Sequence, residues 1–221
     1  EFIIVDDQSF DDTAKIINDI IKTDCRFIYT TSKDGNKYLK YKKRALDAGI
    51  KKSKNEILLF TDVDCIIQDK WVESMVGSFT DKTEYLVGFS ESIGEQTLAA
   101  KFQKIDFLVL LGAARAMVNN NSAWACSGQN QAYRKSLFKK VGGFSKISDQ
   151  MQGDDSLFLL LCRKNYNINV SFATDPASFV VCRTEDDFIS FLKQRIRWAG
   201  DSKIFWKFNI PLYITSIATL I

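Results

Sequence analysis

Two short apolar runs, each ending in paired carboxylates, set the frame for this chain. Phe2-Ile3-Ile4-Val5 runs into Asp6-Asp7, and Ile57-Leu58-Leu59-Phe60-Thr61 runs into Asp62-Val63-Asp64. Short apolar runs bounded by charge read as buried strands. Residues 26–30, 56–61 and 85–89 read as further strands, and residues 38–53 and 69–79 as helices. Ser9-x-x-Asp12 reads as a capping box opening a helix to about residue 22. This alternation predicts an α/β chain with a parallel sheet. In such sheets ligands bind beyond the carboxyl ends of the strands, where both acidic pairs fall.

The second half is less regular. Residues 97–118 are long and apolar, but Asp106 and Arg115 interrupt them, which reads as a packed or surface helix rather than a membrane span. Residues 126–133 resemble an active-site loop and strand, and Gly142-Gly143 marks a turn. A helix at 156–165, strands at 168–172 and 179–183, and a long helix at 186–208 follow. That last helix mixes Trp198, Phe205, Trp206 and Phe208 with Arg195, Arg197, Lys203 and Lys207, a pattern expected of an amphipathic helix at a membrane surface. Residues 210–221 carry no charge but fall short of the roughly 20 residues a span needs. They are expected to be the start of a truncated transmembrane helix, with a terminal core helix as the alternative.

Composition narrows the chemistry. At 221 residues the chain suits one large domain, and it contains no His. Ser-His-Asp triads, Cys-His dyads and HExxH zinc sites are therefore excluded. Acid–base work must rest on carboxylates, Lys, Tyr or Cys. A net charge of +3 is too weak to argue for nucleic acid. Five scattered cysteines without a CxxC pair suit buried thiols in a reducing compartment rather than disulfides or zinc. Neither GxGxxG nor GxxxxGK[ST] occurs.

Each acidic group has a plain reading beside the chemical one. Alternate residues at a strand end point the same way, so Asp62 and Asp64 can face one site and offer hard oxygen ligands to Mg²⁺ or Mn²⁺; a loop cap is the alternative. Asp6-Asp7 can accept from a ribose hydroxyl or a base N–H, or simply cap the next helix. Gly153-Asp154-Asp155 can supply a general base beside a close-packed substrate, or again a cap. On a helix Gln194, Arg197 and Trp198 share a face, able to meet phosphate and a sugar ring or to form an ordinary amphipathic surface. Residues 33–54 hold nine Lys or Arg against two Asp, a solvated face or an anion-steering one.

The order IIVDDQSFDDT, KKRALDAGI, ILLFTDVD, CSGQNQAYRKSLFKKVGGF, QGDD and QRIRW resembles that of inverting family 2 glycosyltransferases with a GT-A fold. The QxxRW motif is similar to that of the membrane synthase branch, which includes cellulose, chitin and hyaluronan synthases and ceramide glucosyltransferase-like enzymes. The resemblance implies a Rossmann-like mixed sheet flanked by helices over residues 1–209, without its N-terminal strand. It implies that Asp7, with Asp6 beside it, holds the uracil or ribose of a UDP-sugar, and that Lys42 reaches the nucleotide. Asp64, with Asp62, would hold the divalent metal. Gly128 and Asn130 would line donor sugar and acceptor, Asp155 would be the catalytic base, and Gln194, Arg197 and Trp198 would lie near diphosphate and acceptor. Asp154 replaces the family's usual Glu, so both Asp154 and Asp155 are candidates for the base. Gln8 and Phe10 replace the usual Gly and Thr. The implied protein is membrane-associated, with this domain on the cytoplasmic face and a glycan or lipid acceptor. Two rivals remain: a haloacid-dehalogenase-type phosphatase with Asp62 as nucleophile and Asp64 as acid/base, and a non-catalytic nucleotide-sugar-binding domain.

Overall fold

β1 (Phe2–Asp6) and β2 (Phe27–Thr31) form a parallel pair with Phe2 opposite Phe27 and Asp6 opposite Thr31. In this computed structural model the backbone is described for residues 1–199 and the side chains for residues 1–196. The expected membrane helix at 210–221 therefore lies outside the described residues, as do the side chains of Arg197 and Trp198. The crossover helix α1 (Thr13–Thr23) starts later than the capping-box reading expects. The Ser9 N–H instead donates to Asp6 Oδ1 at 2.8 Å, in a tight turn where Gln8 has a φ of 64°. A capping box does form further along, between Thr31 and Asp34.

The central sheet runs in the order β3 (Ile57–Phe60), β7 (Gln131–Arg134), β5 (Tyr85–Val87), β8 (Val170–Phe172). β7 is antiparallel to both neighbours, while β5 and β8 are parallel. The purely parallel sheet expected from alternation alone is thus corrected to a mixed one, as the family resemblance implies. A smaller sheet places β9 (Val180–Arg183) between β4 (Ile66–Ile67) and β6 (Ser90–Ile93). The sequence reading does not distinguish β4 and β6, because two and four residues carry too little periodicity.

The two-residue side-chain period of the central sheet sorts its residues into two cores. Leu58, Tyr85, Val87 and Tyr133 enter one core with α2 (Lys42–Lys52), α5 (Lys135–Val141) and α6 (Ser156–Asn165). Leu86 and Ala132 enter the other, with Val180, Cys182 and α3 (Trp71–Gly77). In the first core the rings of Tyr133, Phe138, Phe144 and Phe158 pack together, with Tyr133 and Phe158 centred 5.0 Å apart. Fully burying such a ring stabilises the fold by roughly 1.5–3 kcal/mol. α5 ends at Gly142, whose φ of 84° is a left-handed cap that a side chain would strain.

α4 (Leu98–Asn119) is capped by Thr97, whose hydroxyl accepts from Ala100 N at 3.1 Å. It buries Gln103, Phe107, Leu111 and Val118 and exposes Leu98, Phe102, Ile105 and Val109. α7 (Phe188–Ala199) packs beside it through Phe191 and an Arg195–Asp106 ion pair. Among the described residues no helix is long and apolar enough to cross a membrane.

Candidate active site

Three segments meet around Gly128, and the turn that carries Asp62 joins them through Lys42. The loop 126–128 precedes β7, and Asp154-Asp155 sits at the start of α6. Ser156 knits the two together: its hydroxyl donates to Cys126 O at 2.9 Å and lies 3.1 Å from Cys126 N. Asp155 caps α6 through Ser156 N at 2.5 Å, so the plain reading as a cap holds. Its other oxygen accepts from Gly128 N at 3.2 Å and so faces the same space. The Cβ that Gly128 lacks would lie 3.4 Å from Asp154 Oδ2, 3.5 Å from Lys42 Nζ and 3.6 Å from Asp155 Oδ2. Gly128 thus marks the point on which three charged groups converge.

Lys42 links this point to the second acidic pair. Its ammonium lies 2.5 Å from Asp62 Oδ1 and 3.6 Å from Asp154 Oδ2. Burial alone would pull its pKa down, but Asp154, then Asp62, hold it above the ordinary lysine value. Asp155 is pushed up to about 7, chiefly by burial and then by the neighbouring Asp154; Ser156 N–H, Lys42 and Gly128 N–H oppose the rise. A carboxyl group poised there can exchange a proton near neutral pH.

Asp62 and Asp64 lie in a turn beyond β3, closed by Cys65 N donating to Asp62 O at 3.1 Å, rather than in the strand itself. Val63 points to solvent, and Asp64 is exposed. Among the described residues no cluster of three or more metal-ligating side chains exists. The donor set fits Mg²⁺ or Mn²⁺ nonetheless: two hard oxygen ligands, with further ligands left to a bound diphosphate and water.

The remaining candidates separate by partner. Asp6 is buried and holds its own loop, accepting from Ser9 N and from Tyr29 Oη at 2.9 Å. The Ser9 hydrogen bond holds its pKa below the usual carboxylate value. Asp7 is exposed. Asn130, expected to line donor sugar and acceptor, is fully buried. Its amide donates to Phe89 O and Ser178 O, each at 2.8 Å, and accepts from Trp71 Nε1 at 3.2 Å. A motif match fixes position, not direction, and here the side chain turns inward against Gly88, whose missing Cβ would meet it at 2.3 Å. Gln194 donates to Glu185 Oε1 at 2.8 Å, and Glu185 is tied in turn to Gln103 of α4.

Sequence reasoning missed Lys43. It is fully buried and donates to Gln150 O at 2.5 Å and Gln152 O at 2.8 Å, anchoring the segment before Asp154-Asp155. The signal was present: Lys43, Asp47 and Ile50 share the inner face of α2 by i, i+4 and i+7 spacing.

Comparison with known proteins places this geometry. Two poly-β-1,6-N-acetyl-D-glucosamine synthases, from Staphylococcus epidermidis and Staphylococcus aureus, are 27% and 25% identical over 203 and 202 residues. Each alignment covers 90% of this chain, which spans only 46% of those relatives' length. Glucosyl-3-phosphoglycerate synthase from Mycobacterium tuberculosis, solved with Mn²⁺, UDP and glucosyl-3-phosphoglycerate, superposes with a TM-score of 0.55 at 14% identity, covering 94% of this chain and 68% of that one. GalNAc-T7, solved with UDP, GalNAc and Mn²⁺, superposes with a TM-score of 0.58 at 13% identity, covering 84% and 37%. At such identities the likeness shows the fold alone, and that fold is GT-A. The pattern that matches residues 1–142 decides the kinship: the chain belongs to glycosyl transferase family 2.

Proposed function

We propose that this chain is the catalytic domain of an inverting, polysaccharide-synthase-like transferase. It takes a sugar from a nucleoside diphosphate donor, a UDP-sugar, and moves it to a hydroxyl of a glycan or lipid acceptor. The observation that carries this reading is the convergence of Asp155, Asp154 and Lys42 on Gly128, with Lys42 reaching on to Asp62. The relatives' names support the polymer class, and the UDP and Mn²⁺ of the solved neighbours support the donor class.

Asp155 removes the proton from the acceptor hydroxyl. Its pKa of about 7 leaves it substantially ionised at neutral pH yet basic enough to take a proton. The oxygen then attacks the anomeric carbon from the face opposite the diphosphate, inverting the configuration. Lys42 counters charge growing on the leaving group, a role Arg197 shares in this reading. Asp64 with Asp62 would hold a divalent ion, which when bound would supply Lewis-acid neutralisation of the same charge. Asp7 accepts from the ribose or uracil, Gln194 serves the donor beside Arg197, and Trp198 serves the acceptor side. Asp155→Asn is expected to abolish transfer while sparing Mn²⁺-dependent UDP binding by calorimetry. Turnover at the wild-type rate would remove Asp155 as the base.

We further place the domain on the cytoplasmic face of a membrane. Support for the membrane contact alone comes from the apolar side chains that α4 and α7 leave exposed: Leu98, Phe102, Ile105 and Val109 on one, Phe188, Leu192 and Ile196 on the other. Nothing favours the phosphatase reading. Phe158, where that chemistry needs a carboxylate, is buried in the core.

A further inference from the structure

The turn that carries Asp62 and Asp64 ends on a cysteine, and that cysteine faces another. β4 and β9 are antiparallel, with Ile66 opposite Val181 and Ile67 opposite Val180. One step further along this register, Cys65 stands opposite Cys182, and their Sγ atoms are 2.8 Å apart. Directly opposed residues of antiparallel strands have Cα atoms about 4.5–5.5 Å apart, inside the roughly 4.4–6.8 Å range that a disulfide spans. Cys182 is buried in the second core, and Cys65 is half-buried at its edge. The small sheet thus holds two thiols in bonding register beside the acidic turn.

We propose that Cys65 and Cys182 form a reversible disulfide that closes the donor site to its metal and nucleotide, a regulation that rests on the reading of Asp62 and Asp64 given above. The oxidant is a low-molecular-weight disulfide. The more accessible Cys65 sulfur attacks it and expels one thiol. The Cys182 sulfur then attacks the mixed disulfide at Cys65 and expels the second. Two protein thiols become one S–S bond, and the two protons and two electrons leave on the two small thiols.

The consequence follows from where the bond falls. Cys65 N closes the turn on Asp62 O, and Asp62 is held by Lys42 at 2.5 Å. For Asp62 Oδ1 to serve a metal beside Asp64, the ion pair with Lys42 has to open, and in this proposal the turn shifts as it does. In the reduced chain the outgoing side of the turn is held by the two residues of β4. The disulfide would pin it covalently to β9 and freeze the arrangement in which Lys42 holds Asp62.

The test treats the full chain with oxidised glutathione and maps its disulfides by mass spectrometry of unreduced peptides. Exposed Cys25 takes up glutathione and serves as the internal control. The expected result is a Cys65–Cys182 cross-linked peptide that dithiothreitol removes. Mn²⁺-dependent UDP affinity, measured by calorimetry, should fall about tenfold on oxidation, equivalent to about 1.4 kcal/mol, and return on reduction. Cys65→Ser, which removes the attacking sulfur and leaves only the buried Cys182, should bind Mn²⁺ and UDP equally before and after the oxidant. Glutathione on Cys25 without the cross-link would overturn the proposal, and so would a cross-linked chain of unchanged affinity. If the reduced chain bound no UDP, the donor-site reading and the regulation would fall together, whereas the peptide map would still decide whether the thiols pair.

Discussion

Lys42→Met tests the electrostatics of the site most directly. As the proposed base Asp155 acts only when ionised, so kcat/KM should rise with pH through a midpoint near 7 and level off above it. The Lys42 ammonium favours the ionised form, so removing it must raise the pKa and move this limb to higher pH. The geometry around Gly128 puts Lys42 Nζ and Asp155 Oδ2 no more than about 7 Å apart. At an effective dielectric constant near 20, that separation is worth about 2.4 kcal/mol. The Lys42 side chain is 44% exposed, and solvent screening brings the effect to about 1.4 kcal/mol, or one pH unit. The assay is kcat/KM for sugar transfer between pH 5.5 and 9.5, read for its midpoint rather than its height, since in the proposed site the variant would also weaken donor binding. Asp154→Asn serves as the opposite control: it removes a charge that raises Asp155, so its limb should move to lower pH. A Lys42→Met limb that stays in place or moves to lower pH would refute the coupling. The same protonation affects stability. The folded chain keeps a proton on Asp155 that the unfolded chain releases, so this stabilisation is complete below about pH 4 and lost as pH rises through about 7.

Three further outcomes follow from contacts outside that trio. Lys43→Met leaves the carbonyls of Gln150 and Gln152 without their donor, which should cost about 2–4 kcal/mol and lower Tm by about 5–10 °C; a loss under about 1 kcal/mol in urea unfolding would show that the anchor is dispensable. Gly153→Ala combines a φ of 96° with a Cβ 2.4 Å from Leu157 Cδ1, so a penalty of about 1–3 kcal/mol should appear in its denaturant midpoint, and an unchanged midpoint would contradict the strain. Asp6→Asn should lower Tm because Asp6 holds its loop, while Asp7→Asn should spare Tm and weaken UDP binding; the reverse pattern would exchange their roles.

Much of the site was legible because its chemistry is local. Asp6-Asp7, Asp62-x-Asp64 and Gly153-Asp154-Asp155 each follow or precede an element whose apolar pattern can be read in the sequence, so their place at element ends was predictable. α6 begins and ends where its pattern says, since six consecutive residues from Leu157 to Cys162 are buried and a boundary so marked admits little slippage. Direction was not legible. Asn130 sits where the motif puts it and points into the core, because Gly88, far away in sequence, leaves room for its amide. The reversed direction of β7 was hidden for a related reason. An antiparallel strand and a parallel one share the same two-residue period, and only long-range pairing with β3 and β5 chooses between them.

The sequence by itself determined the alternating elements, the absence of histidine chemistry, the acidic groups at element ends and the family. Tertiary structure decided which charges meet. Lys42 and Asp62 are 20 residues apart, Gly128 and Asp155 are 27 apart, and Cys65 and Cys182 are 117 apart. Apolar periodicity and turn chemistry are properties of neighbouring residues and survive in a string of letters. Ion pairing, burial and the raised pKa of Asp155 depend on distances through space, which only the assembled sheets and their packed helices fix.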